Sequence, residues 1–302
     1  MGSVGFVRGG AVAAALVVGS AVLAGCDDVN TVARPAAPVV LTGAQLPDLA
    51  GLAPGTIVAF RHARVGDQPQ WTQIPVQIDQ RKVVGFGTQP ANNTTAGVAG
   101  TVYGSGSGAI TALQYADPNT FVGADTDTTF DPNAELVFMA ADAGGKPRDD
   151  ERTEPAGVVP GSGVAVQVDD SLGTDQQGWV YLFESAGALD PAAGLDYVDY
   201  DFVLTSGDYK TTYKRADGPN PETSRVITPT YEIGFTDRWK EVSWKVLASG
   251  ATGVDLLDAH KNQFAVNYCG RSNATFADGE GAFVANIDGP VRGIRSYIGA
   301  NS

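Results

Sequence analysis

Along most of this chain apolar and polar residues alternate in steps of two, the period that sends successive side chains to opposite faces of a strand. The clearest case is YVDYDFVLTSGDYKTTYKR, residues 197–215. With Ser206-Gly207 as a two-residue turn, Leu204 would face Tyr209, Phe202 would face Thr211 and Tyr200 would face Tyr213, making one mostly apolar face. On the other side Val203 would meet Lys210, Asp201 would meet Thr212 and Asp199 would meet Lys214, the last an opposite-charge pair. The same beat predicts strands over 55–63, 71–79, 134–142, 163–170, 178–185, 224–235, 238–248, 281–287 and 290–298. Only VDLLDAHKN, 254–262, has a helical pattern, and the Gly-, Asn- and Thr-rich stretch 91–109 reads as a long surface loop. Many short strands separated by turn signals predict an all-β protein of two antiparallel β-sandwich units. The DDSLGTDQQ turn puts their boundary near 172, giving an N-terminal unit over 48–172 and a second over 173–302.

The first forty-seven residues lack this beat. Arg8 is followed by AVAAALVVGSAVLA, small and apolar throughout, so residues 1–25 read as an export signal. The run falls short of the ~20 apolar residues that a membrane-crossing helix needs. It ends in Leu23-Ala24-Gly25-Cys26, which resembles the lipobox of bacterial lipoproteins. The resemblance implies that Cys26 is acylated and becomes the mature N-terminus. The protein would then be exported and anchored to the bacterial cell membrane, facing periplasm or exterior. Each buried methylene of the acyl chains contributes about 0.8 kcal/mol of membrane affinity. The competing reading is an ordinary export signal with an incidental cysteine. Residues 26–47, polar and proline-bearing, then form a flexible tether.

Charge narrows the partners. The chain carries 20 Lys and Arg against 34 Asp and Glu, a net charge of −14, and loss of Arg8 with the leader makes it −15. Such a surface repels phosphate backbones, which argues against nucleic acid. It equally disfavours flat docking on anionic lipid, so membrane association rests on the N-terminal acyl group. The second cysteine, Cys269, loses any intrachain partner if Cys26 is acylated. It reads as a buried, inert thiol, with a catalytic thiol near His260 as the alternative.

Little in the sequence announces chemistry. No zinc-protease helix, phosphate-binding loop, GxSxG elbow or dinucleotide fingerprint is present, and GSGSG at 104–108 has no helix pattern after it. Two histidines in the whole chain leave no His-rich metal site. The acidic run GADTDTTFDPNAE offers Asp125, Asp127, Asp131 and Glu135 as calcium ligands, since calcium takes six to eight closely spaced oxygens. The EF-hand pattern fails, because Phe130 stands at the glycine position and Leu136 at the final glutamate. The other reading of this run is a set of turns built from Asp side chains. Near the C-terminus, DGPVRGIRSYIGANS places Arg295 and Tyr297 on one face of a strand. There they could neutralise a sugar carboxylate and move a proton, or simply cover a sheet.

Gly289-Pro290-Val291-Arg292 leading into a strand resembles the β-supersandwich domains of carbohydrate-active proteins, such as galactose-mutarotase-like domains and some polysaccharide lyases. That resemblance implies a second unit belonging to a supersandwich. A wider resemblance, carried by 71–79, 134–145, 197–221 and 278–302, is to exported bacterial proteins of unassigned activity. It implies that relatives continue beyond Ser302 and that the chain is incomplete at its C-terminus. Three functions follow as expectations. The first is a non-catalytic envelope lipoprotein that binds polysaccharide, with Trp71, Trp179, Trp239 and Trp244 as the aromatic supply. The second is a carbohydrate lyase or epimerase using Arg295 and Tyr297. The third is an envelope protein that binds other proteins.

Overall fold

The computed structural model describes residues 2–3, 34–66, 68–85, 111–120, 122–151, 153–169, 177–206, 221–236, 240–248, 250–261 and 283–297. Cys26, Cys269, Trp239, the 91–109 stretch and the 207–215 arm of the expected hairpin lie outside them. The protein is all-β: among the described residues the helices are single 3-10 turns of three residues. By contacts the chain forms two discontinuous units, Met1–Gln80 with Asp127–Asp196, and Arg81–Thr126 with Tyr197–Ser302.

In the first unit, β1 (Gly2–Ser3), which lies within the segment read as an export signal, runs parallel to β9 (Val164–Asp169). The rest of that sheet is antiparallel, β9 pairing β10 (Gln177–Glu184), β10 pairing β3 (Ile57–Val65) and β3 pairing β4 (Gln68–Ile74). A second sheet has the order β2 (Pro38–Thr42), β8 (Glu135–Met139) and β5 (Gln77–Asp79). Val164, Val166, Val180, Leu182, Ile57 and Ala59 from the first sheet share one core with Leu41, Leu136 and Phe138 from the second. These are the two inner faces of a sandwich, closed over by hydrophobic burial. β9 shows the alternation that the sequence predicted, with Val164, Val166 and Val168 buried and the residues between them half-buried. β8 does not alternate, since all five of its residues are buried. The outer faces of β3 and β10 are also covered: Val58, Phe60, Tyr181 and Phe183 pack with Val158, Leu189 and Trp71.

In the second unit, β11 (Asp199–Leu204), β12 (Glu222–Ile227), β13 (Tyr231–Thr236), β14 (Lys240–Val246) and β15 (His260–Lys261) form an antiparallel sheet in that order. Two hairpin-like pairs accompany it, β6 (Arg81–Gly85) with β7 (Thr111–Tyr115), and β16 (Phe283–Ile287) with β17 (Ile294–Tyr297). Tyr200, Ala285 and Val291 are buried here.

Several expectations need correction. The boundary expected near 172 falls between β9 and β10, two strands paired along six rungs of one sheet. The tether expected over 26–47 ends earlier, because Pro38–Thr42 pairs with β8 and Leu41 is fully buried. Strand 71–79 is interrupted at Pro75-Val76, and strand 224–235 is two strands around a turn at Thr228–Thr230, where the Thr228 hydroxyl accepts from the Thr230 and Tyr231 amides. Residues 254–261 are not helical. Such a short segment cannot repay the cost of helix nucleation. Asp255 instead takes the Trp244 amide at 2.8 Å and the Leu257 amide at 3.1 Å, holding the segment against β14. Finally, the described partner of β11 is β12, with Leu204 opposite Glu222 and Tyr200 opposite Val226. The expected facing is still visible on β11: Tyr200 is buried and Phe202 and Leu204 half-buried, while Asp199, Asp201 and Val203 are exposed.

Candidate functional site

The sheet of the second unit has two faces of opposite character, both set by the alternation along β11 to β14. Tyr200, Val226, Ile233 and Trp244 occupy one rung of the first face, and Phe202, Ser224 and Phe235 the next. Arg295, carried by β17, lies on this face. Its guanidinium makes a two-pronged ion pair with Glu222, including Nη1 to Oε2 at 2.7 Å, and Nη1 also donates to the Tyr200 hydroxyl at 2.8 Å. Tyr200 in turn donates to Asn286, the cross-strand partner of Arg295, and Ser224 donates to Glu222. The Asn286 amide donates to Asp117 Oδ2 at 2.8 Å, which extends the network to the turn after β7.

The guanidinium also sits 4.3 Å from the Phe235 ring centre and 5.9 Å from that of Phe202. The Glu222 side chain has no exposed surface and that of Arg295 only 12%. A charge buried this deeply persists only when it is paired and hydrogen-bonded, and this one is both. The arrangement joins the β16–β17 hairpin to the sheet. Tyr297, expected beside Arg295 as a proton carrier, lies two residues along β17, with its backbone opposite Phe283.

The second face is open. Its rungs run Asp201, Arg225, Gly234, Ser243 and then Val203, Thr223, Thr236, Lys240. Between Gly234 and Phe235 the register to β14 shifts by a bulge. A bulge bends a strand and increases its twist. Gly234 is buried and has no side chain, and a Cβ there would stand 2.5 Å from Ser243 Oγ. Bulge and glycine together leave a shallow depression of about 340 Å³. Val203 and Val242 give it apolar walls, while Asp201, Arg225, Thr223 and Thr236 give it a carboxylate, a guanidinium and two hydroxyls. Asp201 and Arg225 are exposed and opposite each other on neighbouring strands. The volume is at the small end of the usual range for small-molecule sites, roughly 300–1,000 Å³.

No protein-family model, curated protein or solved structure matches this chain.

The acidic run behaves as a series of turns. Asp127 Oδ1 accepts from the Thr129 amide at 2.9 Å and its hydroxyl at 2.7 Å, and these bonds hold the Asp127 carboxyl below its ordinary range. Asp131 Oδ1 accepts from the Asn133 and Ala134 amides, both at 2.8 Å. Glu135 is buried on β8, and Asp125 is half-buried. Among the described residues no group of three or more His, Cys, Asp or Glu is placed to hold a metal ion.

In the first unit His62 is almost completely buried, and its ring stands 5.0 Å from that of Trp71. Burial, and secondarily the Arg64 charge, push its pKa down. Glu151 pairs with Arg64 and lies 3.9 Å from His62 Nε2. Of the expected aromatic supply, Trp71 is anchored by donating to the Thr153 carbonyl at 2.6 Å, and Trp179 carries Lys146 at 4.9 Å over its ring. Trp244 is 48% exposed.

The residues that shape the depression were not singled out by sequence. By pattern alone Asp201 falls on the polar side of a hairpin, and Arg225 and Gly234 fall in a strand interior. The available signal was Gly234 inside an apolar-polar run, since a strand glycine often marks a bulge.

Proposed function

We propose that this protein is a lipid-anchored component of the bacterial cell envelope that binds polysaccharide without processing it. The observation that carries the reading is the open depression on the second unit's sheet. Aliphatic walls beside a carboxylate, a guanidinium and threonine hydroxyls suit a sugar ring, which has both C–H faces and hydroxyl edges. The lyase or epimerase reading is weakened by the setting of Arg295, whose charge is engaged by Glu222 under two aromatic rings. Anchoring through Cys26 supplies location, and the acidity of the chain makes the acyl group the means of holding it at a membrane.

The test is a glycan-array and polysaccharide pull-down screen on the purified full-length protein. Binding that falls at least tenfold in Asp201→Ala or Arg225→Ala supports the proposal. Absence of binding to every glycan class would remove it.

Contact with other envelope proteins is the second reading, favoured by the exposed apolar group Trp244, Leu247, Val254 and Leu256. It predicts crosslinks from these positions to envelope proteins, and indifference to sugars.

A further inference from the structure

Resting on the sugar-binding reading, the geometry points to a neutral hexosyl unit, rather than a uronate, as the occupant of the depression over Gly234. The local charge decides this. On β11 to β14 the open face carries Asp199, Asp201 and Glu232 against Arg225, Lys240 and Lys245, and Lys245 is already paired with Glu232 at 3.1 Å. Among the described residues the surface is therefore balanced, with no cationic cluster to collect a polyanion. Arg225 does offer a partner for a carboxylate, but Asp201 is directly opposite it. Side chains opposed in this way have Cβ atoms about 4.5–5.5 Å apart. A sugar carboxylate drawn to Arg225 would therefore be held against the Asp201 carboxylate. The chain's net charge of −14 adds a longer-range penalty to every uronate of a polymer.

A neutral ring meets none of this. Its hydroxyls donate to Asp201 and accept from Arg225, and the Thr223 and Thr236 hydroxyls can do either. Its C–H face covers Val203, which is 49% exposed, and Val242. Like charges placed near a ligand discriminate by repulsion, so Asp201 serves both to bind the neutral sugar and to reject the acidic one.

Calorimetry on the full-length protein tests this with two probes, a neutral hexosyl hexasaccharide and a uronate hexasaccharide of equal length. The expected result is binding of the neutral probe with little salt dependence, at least tenfold weaker in both Asp201→Ala and Gly234→Val. The same inference expects Asp201→Asn to raise uronate binding. Tighter binding of the uronate by the unmodified protein, weakening with salt and lost in Arg225→Gln, would overturn the neutral-sugar assignment and leave the binding reading standing. Equal affinity of the unmodified protein and Asp201→Ala for the neutral probe would overturn the site. Failure of both probes and of the wider glycan screen would overturn the binding reading with it.

Discussion

Replacing Arg295 with alanine separates a structural from a catalytic role. In the folded protein Glu222 is wholly buried and its carboxylate is met by Arg295 and Ser224. Arg295→Ala leaves that carboxylate with the hydroxyl alone. It also removes the cation over Phe235 and the donor to Tyr200. Breaking a buried pair by deleting one partner typically costs about 3–5 kcal/mol. At about 1.4 kcal/mol per tenfold, that multiplies the opened population of the second unit by roughly 10² to 10³ or more. Hydrogen exchange followed by mass spectrometry should show it as lost protection in 199–204, 222–227 and 283–297, with peptides of the first unit unchanged. Removing both charges, as Glu222→Leu with Arg295→Met, should recover most of the loss, because an apolar pair of similar volume avoids burying an unpaired ion. A loss below about 1 kcal/mol in Arg295→Ala would refute the structural account of this pair.

Three further outcomes follow from the first unit. Leu182→Ala empties a fully buried position between the two sheets and should cost about 2–5 kcal/mol in urea unfolding. Gly144→Ala would drive a methyl group into the His62 carbonyl, although the Gly144 backbone must stay paired with Trp179 in both directions at 2.9 Å. About 1–3 kcal/mol should be lost, read by the same assay. His62, whose folded pKa is depressed, binds its proton more readily when unfolded. Stability should therefore hold above about pH 6.5 and fall as pH drops below it toward the lower folded value. Urea midpoints across pH 5–8 should show that decline in the unmodified protein and a flatter profile in His62→Gln.

The sequence conveys strand content more readily than strand partnership. A period of two along β9 and β11 announces which residues turn inward, because facing is a local property. Partnership is not local. β2 finds β8 almost a hundred residues away, and the strand PVVLT is too short and too near a proline-rich stretch to stand out from a linker. The run Leu136–Met139 of β8 is apolar throughout and gives a strand signal without saying that β8 would be buried on both faces. The candidate site shows the same division. Arg295 was visible as an arginine on a C-terminal strand, but its fate depends on Glu222, 73 positions earlier, and on rings from β11 and β13. The depression depends on one bulge, and a register shift of that kind is fixed by pairing rather than by the residues of one strand.

The most direct measurement of the sugar-binding account is a crystal structure of the protein with a bound neutral oligosaccharide. The account predicts a ring seated over Gly234, with hydroxyls within about 3 Å of Asp201 and Arg225. A sugar ordered elsewhere on the protein, with this face bare, would contradict it.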